Sequence, residues 1–218
     1  QAFSSCVALS EIHLPADLVS IGDGAFLGCS SLEAIDIPLG VTWIDMHAFY
    51  GCAKLKSIFI PPNVVSIGDY AFLSCGGLTV IEVDPDNANY ASVDGVLYDK
   101  SISTLLACGG GKMTLTIPSS VKTVEEASLS YCDNLETIEV EPGNANFISV
   151  EGVLYDKMLT TIIACGAGRH SVSICSSVTN IGICAFAGCD KLTDLKLPNG
   201  TVCIGEEGPE NEFEYIFD

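Results

Sequence analysis

The sequence repeats itself with a period of 23 residues over its first coils, and this period is the strongest constraint on its fold. Ala-Phe pairs begin at residues 2, 25, 48 and 71, and a cysteine follows three residues after each Phe, at Cys6, Cys29, Cys52 and Cys75. Periods of roughly 20 to 50 residues are typical of solenoids, whose units bury their apolar faces only against neighbouring units. The period therefore predicts a stack of similar coils.

The same frame returns twice after longer gaps. It is found at Ala127-Ser128 with Cys132, and again at Ala185-Phe186 with Cys189. Two inserted segments account for the gaps, and they are copies of one another: NANYASVDGVLYDK in the first and NANFISVEGVLYDK in the second. Each insert predicts a β-hairpin, with a two-residue turn at Asp94-Gly95 and a weaker turn sequence at Glu151-Gly152.

Within one unit the apolar positions follow the pattern L-x-x-I-x-I-P-x-x-V-x-x-I-G-x-x-A-F-x-x-C. The L-x-x-I-x-I part ends in period-two alternation, which predicts a short strand with its Leu and Ile side chains inward. The proline that follows cannot extend a strand ladder and ends it. The I-G segment is expected to turn the chain, and A-F-x-x-C is expected to form a short helical turn.

These motifs resemble the BspA-like type of leucine-rich repeat, which is found in bacterial and protozoan surface proteins. Together with the strand pattern, the resemblance implies an α/β solenoid that is right-handed, with parallel strands on its concave face. The solenoid is predicted to occupy residues 1–205, with inserts near 84–112 and 141–169 and an acidic cap or tail at 206–218. About eight strands are expected, near Leu9–Leu14, Leu32–Ile37, Leu55–Ile60, Leu78–Val83, Met113–Ile117, Leu135–Val140, Ser171–Ile174 and Leu192–Leu197.

The 11 cysteines favour a structural role. Disulfides are common in secreted proteins rich in cysteine. Equivalent residues of adjacent coils, however, hold their Cβ atoms nearly a full coil apart, whereas a disulfide requires about 3.5–4.5 Å. A column of buried thiols is therefore predicted, with some disulfides as the alternative. The column comprises Cys6, Cys29, Cys52, Cys75, Cys132 and Cys189; Cys108 and Cys165 hold matching places in the inserts, while Cys175, Cys184 and Cys203 lie outside it.

No motif in the chain predicts catalysis, a metal site or a cofactor. There is no C-x-x-C pair, and the three histidines, His13, His47 and His170, fall at different phases of the repeat. The glycine-rich CGGGK at Cys108–Lys112 lacks the spacing of a phosphate-binding loop and is interpreted as a turn. The oxygen-rich stretch from Asp84 raises a calcium alternative, but turn formation explains it better. A hydrolase has the least support.

The charge balance limits the possible partners. The chain has 9 Lys and Arg against 28 Asp and Glu, a net charge of −19, which repels nucleic acids and anionic membranes. Its apolar runs fall far short of the roughly 20 residues that span a bilayer, so no membrane insertion by this fragment is expected. Because Gln1 enters in mid-repeat, we expect a piece of a longer protein whose open solenoid ends allow self-association.

The outward positions of the predicted strands are the candidate ligand-binding residues. They form a mainly acidic and hydroxyl-bearing face on which Phe59 and Val80 lie on neighbouring coils and nearly touch. Strand propensity alone is the alternative explanation for these two side chains. The candidate residues are Glu11, His13, Asp36, Phe59, Val80, Glu82, Glu139 and Asp194.

The resemblance implies a non-enzymatic recognition module, extracellular or at a cell surface, that adheres to host or matrix proteins or glycoproteins. The alternative is a structural spacer or stalk within a larger surface protein. Unpaired thiols fit a reducing or anaerobic setting, which favours a bacterial source that lives without oxygen.

Overall fold

The chain is a β-solenoid of about eight coils, seen in a computed structural model that describes residues 1–205. Every regular element within these residues is a β-strand, so the helical turn and the α/β class predicted from the sequence are wrong. The right-handed sense stays a prediction. The predicted cap or tail at 206–218 lies outside the described residues.

Eighteen short strands make up the coils that the structure describes. In chain order they are β1 Ser20–Ile21, β2 Trp43–Ile44, β3 Ser57–Ile60, β4 Ser66–Ile67, β5 Val80–Val83, β6 Tyr90–Val93, β7 Val96–Asp99, β8 Thr104–Ala107, β9 Thr114–Ile117, β10 Thr123–Val124, β11 Thr137–Val140, β12 Phe147–Val150, β13 Val153–Asp156, β14 Thr161–Ala164, β15 Ser171–Val172, β16 Asn180–Ile181, β17 Asp194–Leu195 and β18 Cys203–Ile204.

The predicted L-x-x-I-x-I segments form one side of the solenoid, here called the first face. Its strands pair in parallel and in register, β3 with β5, β9 with β11 and β15 with β17. In β3 and β9 exposed and buried residues alternate, as the period-two pattern requires. The segments Leu9–Leu14 and Leu32–Ile37 run in the same column without strand geometry, and the Glu33 N–H donates to the Ser10 carbonyl between them.

A second set of strands, here called the second face, was assigned to turns by the sequence analysis. The V-x-x-I segments of the first coils form the parallel strands β1, β2 and β4. Later coils continue this face with β8 and β10, and then with β14, β16 and β18. Most of these strands have only two residues, which is too short to show a periodic pattern of burial.

The A-F-x-x-C bends consist of stacked turns. The Phe26 N–H donates to the Ala48 carbonyl of the next coil at 2.8 Å, so this donor cannot serve an α-helix. Within each bend the bonds are of turn type, as from the Cys52 N–H to the Phe49 carbonyl at 3.1 Å. Four rings stack face to face along this edge with neighbouring centroids 5.4 to 5.9 Å apart, those of Phe3, Phe26, Phe49 and Phe72.

One bend was misaligned in the sequence analysis. The Cys108 N–H donates to the Ser128 carbonyl at 3.0 Å, which is the bond that an Ala carbonyl receives in the regular coils. Ser128 and Leu129 therefore occupy the Ala-Phe positions in place of Ala127 and Ser128. Both side chains are buried, as those positions require. With this shift the two inserts have the same length, since Cys75, Cys132 and Cys189 are 57 residues apart.

The two predicted hairpins are confirmed. Strand β6 pairs with β7, and β12 with β13, both antiparallel across two-residue turns. Asp94 and Gly95 have φ of 49° and 72°, and Glu151 and Gly152 have 51° and 79°, which are the positive angles of a type I′ turn. A third strand in each insert, β8 or β14, pairs with the hairpin and joins the second face.

The core runs along the solenoid axis as three apolar clusters and includes two buried asparagines, Asn87 and Asn144. The predicted turns after Cys108 and Cys165 press directly on the preceding coil. A Cβ on Gly109 would lie 2.1 Å from the Leu78 carbonyl oxygen, closer than any side chain allows. Close backbone packing therefore explains the glycines of CGGGK.

Candidate recognition surface

The first face places most of the candidate ligand-binding residues in solvent. The exposed candidates lie along one side of the coils; they are Glu11, His13, Asp36, Phe59, Glu82, Glu139 and Asp194. Val80 is half-buried. Phe59 faces Glu82 across the β3–β5 pair, and Val80 faces Ser57, so Phe59 and Val80 are diagonal neighbours. The direct neighbour of the Phe59 ring is therefore the Glu82 carboxylate and not the Val80 side chain.

The hairpin turns divide the first face into three blocks, a feature the sequence analysis did not predict. The Ile81 N–H of β5 donates to the Gly95 carbonyl at 2.9 Å, and the Ile138 N–H of β11 donates to the Gly152 carbonyl at 3.0 Å. Each turn thus takes the edge at which the next parallel strand would pair. The blocks end at Val83, at Val140 and with β17, so a continuous sheet of eight strands is absent from the described coils.

Basic side chains hold these turns in place. Lys112 Nζ donates to the Asp94 carbonyl at 2.6 Å and lies 3.1 Å from its Oδ2. At the second turn Arg169 donates to the carbonyls of Glu151 at 2.7 Å and Glu136 at 3.0 Å. The chain has only 9 Lys and Arg, and two of them fix the boundaries between the blocks.

The second face carries an exposed tryptophan that was not among the predicted site residues. Trp43 lies in register between Ser20 and Ser66, and 53% of it is exposed. Val19 and Val65, next to those serines, are about half exposed as well. Trp43 lies outside the core pattern of the repeat, and that was the signal available in the sequence. Trp is enriched among residues that dominate binding energy.

Each insert also opens a groove at its joint with the preceding coil. The larger groove, about 410 Å³, is lined by apolar residues that include Phe72, Leu97 and Leu106 and by the acidic residues Glu125 and Asp69. The Ile67 N–H beside it donates to the Tyr90 hydroxyl at 2.9 Å. A second groove of about 220 Å³ occupies the equivalent joint after β10. Periodicity gave no sign of either groove.

Most thiols of the regular column are buried, and a buried thiol is chemically inert. Burial raises the pKa of Cys52, and burial likewise raises the pKa of Cys75 to about 12, so both are neutral thiols at neutral pH. Cys29 and Cys132 are also buried, whereas Cys6 is exposed and Cys189 is half-buried. All 11 cysteines lie within the described coils and none is in a disulfide. Their structural role stays a prediction.

Other chemistry finds little support among residues 1–205. No group of three or more His, Cys, Asp or Glu side chains in this range is placed to hold a metal ion. In the oxygen-rich stretch, the Asn87 side-chain amide is fully occupied by backbone groups, and Asp84 Oδ1 accepts the Asp86 N–H. His47 stacks on Tyr70 with centroids 5.5 Å apart. The same range contains no helix long and apolar enough to cross a bilayer.

These coils and faces define a repeat protein of the leucine-rich class. The sequence model of the BspA type leucine rich repeat region matches six copies, over residues 1–106, 107–167 and 165–211. The chain therefore belongs to the BspA-type leucine-rich repeat family, which confirms the resemblance inferred from its motifs. No curated protein matches the chain.

Solved structures of bacterial proteins share the fold. A leucine rich cell surface protein from Faecalibacterium prausnitzii A2-165 has a TM-score of 0.62 and 24% identity over 96% of this chain and 62% of its own. The pneumococcal vaccine antigen PcpA has a TM-score of 0.53 and 25% identity over 90% of this chain and 47% of its own. A leucine-rich repeat protein from Eubacterium ventriosum has a TM-score of 0.52 and 20% identity over 76% and 47%. The chain thus spans less than two thirds of each.

Proposed function

We propose that the chain is a non-enzymatic recognition module of a cell-surface protein and that its first face binds a basic protein ligand. The observation that carries the proposal is the column around Phe59. Asp36 and Glu82 occupy the equivalent positions one coil before and one coil after it, and all three side chains are exposed. An aromatic ring between two carboxylates on stacked coils has the makeup of a small protein-binding site.

Charge defines the class of partner. With a net charge of −19 and acidic residues along the first face, the chain attracts proteins that present Lys and Arg and repels acidic ones. We infer that the ligand has an apolar site rimmed by basic side chains, in which Phe59 is buried on binding. An extracellular matrix or mucosal protein of the host, bound in adhesion, fits this description.

Family membership supports an extracellular location, as do two structural neighbours, one a cell surface protein and the other a vaccine antigen. Rigid solenoids present long surfaces suited to protein recognition. The proposal rests on exposure, charge and these likenesses together.

The test is binding of the purified chain to a panel of basic matrix and mucosal proteins, measured by biolayer interferometry at two salt concentrations. We expect saturable binding that weakens with salt. The Phe59→Ala and Glu82→Lys variants should each raise Kd about tenfold or more, as expected for a central aromatic and its charged neighbour.

Matched controls separate the possible faces. Trp43→Ala removes an exposed aromatic from the second face, and Asp17→Lys makes the same charge change away from the strands; both should bind like the parent. If Trp43→Ala is the variant that abolishes binding, the second face is the site and the proposal for the first face is wrong. Absence of binding across the panel would favour the spacer role.

A further inference from the structure

In the inserts, a cysteine replaces the phenylalanine whose carbonyl group contacts the next thiol of the column. In the regular coils each column thiol contacts the carbonyl of the Phe position in the preceding coil, as Cys52 Sγ does with the Phe26 oxygen at 3.3 Å. In the two insert coils a cysteine takes that Phe position. The Cys108 N–H bonds to Ser128, and the Cys165 N–H to Ala185, as a Phe N–H does in the regular coils. Each insert therefore sets one thiol against the next column thiol.

Two thiol pairs result, one at each joint. Cys132 Sγ lies 3.6 Å from the Cys108 carbonyl oxygen, and Cys189 Sγ lies 3.9 Å from that of Cys165. The partner sulfurs, Cys108 Sγ and Cys165 Sγ, lie 3.6 Å from the carbonyl oxygens of Gly109 and Gly166, and each thiol perturbs the titration of the column thiol beside it. The geometric objection to disulfides applies to equivalent positions of adjacent coils. These pairs join two different positions, so the objection does not hold for them.

Burial distinguishes the two pairs. Cys108 and Cys132 are 6% and 1% exposed, so solvent reagents do not reach either sulfur. Cys165 is also buried at 3%, but Cys189 is half-buried and open to solvent. The hydrogen bond from Cys165 lowers the pKa of Cys189, against burial and Asp190, which raise it. Cys189 is thus the accessible, more acidic member of a preformed pair.

We propose that Cys165 and Cys189 form a disulfide by exchange with a small-molecule disulfide, while Cys108 and Cys132 stay reduced in the folded chain. Cys189 loses its proton to water, and its thiolate attacks one sulfur of oxidised glutathione and expels a glutathione thiolate. Cys165 then attacks the Cys189 sulfur, its proton passing to the second departing glutathione thiolate. Two protein thiols and one glutathione disulfide become one protein disulfide and two glutathione thiols.

The test exposes the reduced, folded chain to oxidised glutathione, blocks remaining thiols with N-ethylmaleimide and maps the peptides by mass spectrometry. We expect a linked pair of peptides containing Cys165 and Cys189, with Cys108 and Cys132 recovered as alkylated thiols after denaturation. Dithiothreitol should reverse the link. A disulfide joining Cys189 to Cys175, Cys184 or Cys203 instead would overturn the proposal.

The Cys165→Ala variant separates the two chemical steps. It removes the second thiol, so Cys189 should stop at a stable mixed disulfide with one glutathione. Circular dichroism checks that this conservative change at a buried position leaves the fold intact; if it does not, the time course of the parent chain supplies the same information. There the glutathione adduct on Cys189 should appear first and decay as the internal disulfide forms. An adduct in the parent chain that never decays would also overturn the proposal.

Discussion

At the scale of single residues, two asparagines connect the inserts to the solenoid. Asn87 is fully buried, and its amide donates to the carbonyls of Pro61 and Val64 at 2.8 and 3.0 Å. Its Oδ1 accepts the N–H groups of Asn89 and Tyr90. Asn144 repeats this arrangement one insert later. All four hydrogen-bonding positions of each side chain are used, so both asparagines act as internal caps for the backbone of the preceding coil.

We predict that Asn87→Ala destabilises the fold by about 2–4 kcal/mol, because four backbone groups in a dry site lose their partner. Urea unfolding followed by circular dichroism measures the change. Asn63→Ala is the control, since the exposed Asn63 amide makes a single bond to the Leu39 carbonyl, and its loss should cost below about 1 kcal/mol. Equal losses in the two variants would contradict the capping role.

At the scale of elements, a carboxylate organises the loop between β7 and β8. Asp99 Oδ1 accepts the N–H groups of Ser103 and Thr104 at 2.6 and 2.7 Å, and its other oxygen accepts the hydroxyls of Ser101 and Ser103. Burial alone would raise the pKa of Asp99, but these hydrogen bonds outweigh it and hold the pKa below its usual value. The hydrogen bonds of this loop are therefore strongest when the Asp99 carboxyl group is ionised.

A folded-state pKa below the unfolded value of 3.8 means that Asp99 stabilises the fold above that pH and loses its contribution as the pH falls through the folded-state value. We predict that Asp99→Asn lowers stability at pH 7 by about 1 kcal/mol or less, because water still screens this half-buried group. The difference from the parent should shrink as the pH drops below about 4. Thermal unfolding across pH measures it, and a difference that is constant with pH would refute the argument.

Sequence patterns predicted some elements of this fold and missed others for physical reasons. The four-residue strands β3 and β9 alternate between buried and exposed residues, and period-two analysis detects that alternation. Strand β1 has two residues and no period. The helical turn expected at A-F-x-x-C does not form, because the Phe26 N–H donates to the next coil. A single repeat unit, taken alone, gives no sign of this contact. The hairpin turns that divide the first face depend on the same kind of contact between coils.

The candidate site was predictable only in part. Exposure of Glu82 and Phe59 followed from their strand positions, but the register that makes them direct partners is a property of the pair. Trp43 was visible in the sequence as a departure from the core pattern, yet the second face to which it belongs was not predicted. The grooves arise from joints between coils and have no local signature.

At the scale of the whole molecule, unbalanced charge works against the stacked coils. The chain carries 28 acidic and 9 basic side chains. Among residues 1–205 the ion pairs are Lys112 with Asp94 and, when His47 is protonated, His47 with Asp23. Most carboxylates therefore lie on coils about 4.8 Å apart without an opposite charge to offset their repulsion.

We predict that sodium chloride raises the thermal midpoint at pH 7, because counterions screen this repulsion within a Debye length of about 8 Å at physiological ionic strength. At pH 4 the salt effect should be smaller, since many carboxyl groups are then protonated. Differential scanning calorimetry at both pH values provides the comparison. A midpoint that falls with salt at pH 7 would show that attractive pairs outweigh repulsion.

The spacing of the inserts has an evolutionary consequence. Asn87 and Asn144, Asp99 and Asp156, and Cys108 and Cys165 are each separated by 57 residues, and the two members of each pair make matching contacts. The asparagines bind the coil before them, the aspartates bind their own loop, and the cysteine carbonyls face the column thiol of the next coil. Removal of residues 87–143 from the gene would bring Asn144 onto the carbonyls now bound by Asn87. Unequal recombination can therefore shorten or lengthen such a solenoid by whole modules of 57 residues without the invention of a new interface between coils.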